Sequence, residues 1–239
     1  QPDFVWTKER NIDRNHDLFN AISGAGYYLE SNTTAAEAPG ADSLKSFDAD
    51  GFTLGMDTNV NLSGRTYVAW NWKAGNGTSA NIDGTIASTV SVNEKAGFSI
   101  VGWTGDGTEA DIGHGLGANP DLIILKDRDA AVNWLVYHSS NGENKYLKLN
   151  DTTASSGLVG QNLFAGNTST TFGVGSGYSS NTNKHDYIAY CFHSVEGYSK
   201  FGKYTGNGSA DGPFVYTGFE VAWLLVKRTD NTGAWRILD

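Results

Sequence analysis

The sequence predicts an all-β protein made of tandem β-sandwich or jelly-roll-like modules, and three observations predict it. Glycine is abundant at 30 residues and proline scarce at 4, a balance that suits many short strands joined by glycine turns, and no Gly-X-Y period points to collagen. Short apolar runs rich in β-branched and aromatic residues recur along the chain. Blocks of sequence return in one order at a nearly constant spacing of about 120 residues.

The elements follow in order. Phe4-Val5-Trp6 is an unbroken apolar run, as are Leu122 to Leu125 and Trp223 to Val226. Such runs suit strands covered on both faces. From Tyr67 to Trp72 the residues alternate, so Val68, Trp70 and Trp72 share one face. Asn76-Gly77, Asp106-Gly107, Asn141-Gly142 and Asn207-Gly208 accept positive φ at little cost and mark tight turns. Thr34-Ala35-Ala36-Glu37 has capping-box spacing, but Pro39 follows at once, so one helical turn is expected there and nothing longer. The stretch Gly75 to Lys95, rich in Gly, Ser, Thr and Asn, reads as a junction between modules.

The repeated blocks set the organisation. Pro2-Asp3-Phe4-Val5-Trp6-Thr7-Lys8-Glu9-Arg10 matches Pro120-Asp121-Leu122-Ile123-Ile124-Leu125-Lys126-Asp127-Arg128, with the lysines 118 residues apart. Tyr28-Leu29 matches Tyr146-Leu147, Phe52 to Gly55 matches Phe172 to Gly175, and Tyr67 to Trp72 matches Tyr187 to Phe192. A third, partial copy follows: Gly97 to Thr108 returns as Gly197 to Ser209, and Trp134 returns as Trp235. The expected modules are therefore 1–96, 97–196 and a partial third at 197–239, the last completing the second in one arrangement. Because the copies begin at Gln1 and stop at Asp239 part-way through a repeat, a segment of a longer array is expected; a permuted unit is the alternative.

Composition narrows the function classes. Hydrophobic residues are 39% and aromatics 12%, enough for a packed core. The net charge of −9, with no cluster of Lys or Arg, disfavours nucleic acid as a partner. One cysteine, Cys191, rules out an internal disulfide or a Cys-based zinc site, and its apolar neighbours make it a buried thiol. No apolar stretch approaches the ~18 residues of a membrane span.

Candidate chemistry is sparse. Asp48-Ala49-Asp50-Gly51 resembles a calcium-loop fragment, making Asp48 and Asp50 the candidate metal ligands and calcium the one candidate cofactor. The remaining EF-hand ligands are missing, so a solvated turn is the preferred reading. His114-Gly115-Leu116-Gly117 invites a catalytic or ligand role, yet no nucleophile signature accompanies it, and a turn histidine is preferred. His138, His185 and His193 are scattered, and His185 with Asp186 is a weak metal candidate. Lys8/Arg10, Lys126/Arg128 and Lys227/Arg228 recur; they fit an anion contact or, preferably, a structural strand end. The seven tryptophans are the best clue to binding, since an exposed aromatic face stacks on a sugar ring. Trp72 and Trp103 are the chosen candidates, with His114 beside them, whereas Trp134 and Trp235 occupy matching positions and read as core. The Asn-X-Ser/Thr matches at Asn32, Asn76, Asn150, Asn167 and Asn207 would carry glycans only in a eukaryotic secretory route.

Pro120 to Arg128, Gly97 to Val101 with the Thr104-Gly105-Asp106-Gly107-Thr108 tail, His114 to Gly117, Ser46 to Gly55 and Tyr67 to Trp70 together resemble a repeat domain of tail-fibre and other structural proteins of tailed phages, common in marine and uncultured viruses. The resemblance covers nearly the whole chain. It implies a virion protein with a role in host-surface attachment, and homotrimeric self-association; it carries no catalytic or ligand residues over. The chain departs from the pattern around 157–166, where a variable contact surface is expected. The leading expectation is a non-enzymatic virion segment that presents loops to a host-surface glycan, its weak contacts summed by multivalency. A carbohydrate-binding module or lectin of a secreted bacterial protein is the second reading. A glycan depolymerase is the third, and it lacks a recurring carboxylate pair.

Overall fold

The computed structural model describes residues 1–157, 163–177 and 180–239. The first part of the chain forms β1 (Phe4–Glu9), β2 (His16–Asn20), β3 (Tyr27–Glu30), β4 (Ala38–Pro39), β5 (Leu44–Asp48), β6 (Gly51–Leu54), a single helical turn α1 (Thr58–Asn61) and β7 (Tyr67–Trp72). There follow β8 (Ser79–Asn81), β9 (Ser88–Asn93), β10 (Phe98–Thr104), β11 (Ala110–Gly113), β12 (Leu122–Asp127), β13 (Leu135–His138) and β14 (Lys145–Lys148). The remainder contributes β15 (Ser156–Gly157), β16 (Thr171–Val174), β17 (Asp186–Phe192), β18 (Leu224–Val226) and β19 (Arg236–Leu238).

Two large antiparallel sheets carry the fold. One has five strands in the order β4-β3-β2-β1-β7, the other eight in the order β15-β14-β13-β12-β17-β10-β9-β8. Three two-stranded pieces, β5-β6, β11-β16 and β18-β19, complete the described sheets. Alternation along the strands sorts the apolar residues into layers. Phe4 and Trp6 of β1, Ile100 of β10, Leu122 and Ile124 of β12 and Tyr190 of β17 meet in an inner core between the large sheets. Val5 points the other way, to a cluster with Phe19, Leu44 and Val60 under β5-β6. Val101, Ile123 and Cys191 point away from the inner core too, toward Ile112 and Phe172 of β11-β16. The chain is therefore a β-sandwich whose sheets are covered on their outer faces as well, which is why the runs at β1 and β12 are unbroken rather than alternating.

Two local expectations are corrected. Residues 34–37 form no helical turn: Ala35 N–H bonds Thr33 Oγ1, and the Glu37 carboxylate is held by Arg128 and Ser23 instead of reaching back to cap a helix. The helical turn sits at α1, where the Asp57 side chain accepts from Asn59 N–H at 2.9 Å. The polar stretch 75–95 contains β8 and β9, and β9 pairs with β10, so the eight-stranded sheet draws on residues either side of position 96. Residues 158–162 of the divergent region 157–166 lie outside the described residues. Among the described residues no helix is long and apolar enough to cross a membrane.

Candidate functional site

Register brings together residues that are far apart in the chain. β1 and β7 pair with Trp6 opposite Trp70, and both side chains turn toward the inner core. Their rings meet edge to face at 6.0 Å. Lys8 lies opposite His16 across β1-β2. Trp6 Nε1 donates to His16 Nδ1 at 3.0 Å, and Trp70 lies nearly parallel to the imidazole at 6.5 Å. Burial, aided by the Lys8 charge, pulls His16 down to about 4, so the ring is neutral at pH 7, accepts at Nδ1 and carries its proton at Nε2.

Facing this cluster is the terminal hairpin β18-β19. It is seated by Trp235, whose Nε1 donates to the Lys148 carbonyl at 2.8 Å. Between the hairpin and the β1-β7 edge runs a cleft of about 630 Å³. Trp6, His16 and Trp70 form one wall, and Leu225, Trp235 and Ile237 the other. Lys8, Arg10, Asp151 and Arg236 give it charged groups of both signs. Trp70 and Trp235 are half-buried, and Arg10 and Arg236 exposed. Trp70 Nε1 is a buried donor without a hydrogen-bond partner among the described residues, as is Nε1 of Trp223 packed edge-on against it. Half-covered aromatic faces with polar groups at the rim can bind a neutral or mildly charged polar ligand such as a sugar.

The residues singled out from the sequence are placed elsewhere. Trp72 is half-buried beside the cleft rather than in it, packed on Phe4 at 5.0 Å and covered edge-on by Trp223 at 5.5 Å. Trp103 is only 5% exposed: it stacks on Tyr187 and donates to Asn181 Oδ1 at 3.2 Å, so it presents no face to a ligand. His114 is fully buried; its Nδ1 accepts from Leu116 N–H at 3.1 Å and its Nε2 bonds the Thr168 carbonyl at 3.3 Å, tying two loops together. Its burial lowers its pKa. Asp48 accepts from Thr53 Oγ1 at 2.7 Å across the β5-β6 hairpin, and Asp50 is exposed in the connecting turn. Among the described residues no group of three or more His, Cys, Asp or Glu side chains could hold a metal ion. The five candidates do not converge.

The recurring lysines are structural. Lys126 is completely buried and donates to the Asp127 and Ala130 carbonyls at 2.7 and 2.8 Å. Lys8 makes the corresponding bonds to Glu9 and Ile12 at 2.7 and 3.3 Å. His185, Asp127 and Tyr187 form one network: Asp127 Oδ2 lies 2.9 Å from His185 Nδ1 and 3.1 Å from Tyr187 Oη. The Asp127 carboxylate raises the His185 pKa. Trp6 and Trp70 were visible as aromatics in apolar runs and Arg10 as a member of the recurring Lys8/Arg10 pair, but His16 carried no sequence signal of its own.

Comparison with protein families gives one match, and it spans residues 1–239, described as a domain of unknown function (DUF7483). The chain belongs to the DUF7483 family. The DUF7483 match takes in both large sheets and the terminal hairpin, so the cleft lies within the extent of the domain. No curated protein and no solved structure matches this DUF7483 chain.

Proposed function

We propose that this chain is a structural and adhesive segment of a phage tail fibre or another virion surface protein, and that it presents the cleft between Trp70 and Trp235 to a host-surface glycan without catalysing a reaction. The observation that carries the glycan part is the cleft itself, with its aromatic walls and charged rim. The virion setting is supported by the sequence resemblance, which also suggests homotrimers.

The chain is read as copies of one module, 1–96, 97–196 and 197–239. Registers support this. Phe4 opposes Asn20 and Trp72, and 118 to 120 residues later Leu122 opposes His138 and Phe192. Leu18 opposes Leu29 as Val136 opposes Leu147, and Tyr27 opposes Pro39 as Lys145 opposes Gly157. The seams agree too. Trp134 Nε1 donates to the Glu30 carbonyl at 2.9 Å and Trp235 Nε1 to the Lys148 carbonyl at 2.8 Å. Glu37 N–H donates to the Arg128 carbonyl at 2.8 Å, and Ser155 N–H to the Thr229 carbonyl at 2.9 Å. These matching bonds support a reading in which the third block sits on the second as the second sits on the first.

A glycan array and whole-cell binding assay, run with and without calcium, tests the adhesive role. Binding to a defined polysaccharide that falls at least tenfold in Trp70→Ala supports it. A well-folded chain that binds nothing is a shaft or shell, with recognition carried elsewhere.

A further inference from the structure

We infer that the pocket beside β2, β3 and α1 is a weak calcium site, with Asp17 and Glu30 as its carboxylate ligands. The inference is independent of any glycan in the cleft and of the repeat reading.

Asp17 comes first. Alternation along β2 puts Leu18 in the inner core and Asp17 on the outer face with Phe19, whose neighbours there are Val5, Leu44 and Val60. Asp17 is only 4% exposed, and its Oδ1 is fully enclosed. Oδ1 has no hydrogen-bond partner, and the carboxylate forms no ion pair among the described residues. Carboxylates this deep are ordinarily paired, because burying a charge is costly. The two cations whose fields reach it, Arg14 and Lys8, are held by other groups. Arg14 Nε lies 3.1 Å from the buried Glu9 Oε2 and its Nη1 donates to Asn59 Oδ1, while Lys8 Nζ donates to the Glu9 and Ile12 carbonyls.

Strand pairing adds a second carboxylate. Glu30 lies directly opposite Asp17. Ser31 N–H donates to the His16 carbonyl at 3.2 Å, which makes Asp17 and Glu30 a non-hydrogen-bonded pair. Side chains stand closest in such pairs, with Cβ atoms about 4.5–5 Å apart, and like charges there repel. Thr33 Oγ1 donates to Glu30 Oε2 at 3.0 Å, a neutral partner that leaves the repulsion in place. A cation between the two carboxylates turns that repulsion into attraction.

The pocket supplies the room and the donor set. It has about 250 Å³ and is lined by Asp13, Arg14, Asn15, Asp17, Glu30 and Asn59. No His or Cys lines it, so the donors suit a hard, oxygen-seeking cation. Asn15 Oδ1 accepts from Asn32 Nδ2 at 2.8 Å and Asn59 Oδ1 from Arg14, and each amide oxygen keeps a second lone pair. Calcium accepts such an irregular set and completes its shell with water, whereas magnesium demands a near-ideal octahedron. Two carboxylates rather than three place the site in the weak class, with Kd on the order of 10⁻⁴–10⁻³ M. Such a site takes up no ion at trace calcium, so a chelator alone changes nothing and added calcium is the probe.

Thermal unfolding in calcium chloride tests this at pH 8, above the value of about 7 to which burial, with Glu30 and Asp57, raises Asp17. Calcium at about 10 mM should raise Tm by about 3–5 °C over sodium chloride of equal ionic strength. Asp17→Asn should fold and lose that increment. Glu30→Gln should move the calcium midpoint at least tenfold higher, and it decides alone if Asp17→Asn fails to fold. Asp48→Asn should keep the increment in full. No increment over sodium chloride, an equal one from magnesium chloride, or one that survives Asp17→Asn and Glu30→Gln overturns the site. Loss of the increment in Asp48→Asn overturns it too, by moving the ion to the β5-β6 turn.

Discussion

Trp134 Nε1 donates to the main-chain carbonyl of Glu30 at 2.9 Å, bonding the second large sheet to the first across the inner core. The indole is fully buried and Leu29, next to its acceptor, belongs to the same core. Trp134→Phe keeps most of the ring contact but leaves a carbonyl without a donor, so a loss of about 1–3 kcal/mol is expected in chemical denaturation. Trp235→Phe removes the equivalent bond at a half-buried position. There the expected loss is about 1 kcal/mol or less, confined to β18-β19 and read as faster amide exchange in that hairpin.

Arg128 and Glu37 form the second tie between the sheets. Arg128 reaches Glu37 Oε2 through Nη2 at 2.6 Å and Nε at 3.1 Å. Both side chains are mostly covered, at 19% and 9% exposure. Arg128→Ala leaves a carboxylate nearly buried beside Ser23, and the expected cost is about 2–3 kcal/mol, below the 3–5 of a fully buried pair. A double-mutant cycle with Glu37→Gln checks it: the double variant should recover part of the loss.

Asp17 and His16 give opposite pH slopes in one window. Burial, with Glu30 and Asp57 nearby, pushes Asp17 up to about 7. A raised carboxyl pKa favours folding below the unfolded value near 4, and that advantage is lost as pH rises to about 7. His16, lowered to about 4, stabilises the fold above pH ~6.5 and loses that contribution as pH falls toward 4. The two slopes largely cancel. Asp17→Asn should expose the histidine alone: urea midpoints that climb from pH ~4 to ~6.5, and a gain over the parent at pH 7 of up to the order of 4 kcal/mol.

Cys191 is fully buried, and burial drives its thiol pKa well upward. A thiol reagent should leave the native chain unmodified and label it at the unfolding rate as denaturant is raised. Prompt labelling of the native chain would contradict the packing around β17.

The Asp48 carboxylate is already engaged by Thr53 and Ser46, and those bonds hold its pKa below the ordinary value. A chelator should therefore leave Tm unchanged. Thr53→Val should lower Tm only slightly, through the lost solvent-exposed hairpin bond.

The strands were legible because their apolar runs are local. Phe4-Val5-Trp6 and Leu122 to Leu125 sit inside β1 and β12, and Asn76, at φ 56, takes the left-handed turn conformation that its Asn-Gly pair announces. Burial of individual aromatics was not legible. Trp103 disappears into the core because Asn181, 78 residues on, supplies its acceptor, whereas Trp70 keeps an unused donor because nothing comparable reaches it. The cleft joins residues before position 75 to residues 149–152 and to residues after 224, and no local pattern in the sequence places these three stretches together. Polar composition misled at 75–95, because β8 is an edge strand and the buried serines of β9 are bonded, Ser88 Oγ donating to the Gly113 carbonyl and Ser91 Oγ accepting from Gly75 N–H.

The position of β1 has a mechanical consequence. It lies between β2 and β7, bonded on both sides, whereas β19 belongs to a hairpin of only two strands. Tension applied through residue 1 must break two ladders together, while the same tension at residue 239 meets a single short one. Pulled through residues 1 and 239, this stretch of chain yields first at β18-β19, peeling that hairpin away while the sandwich stays whole.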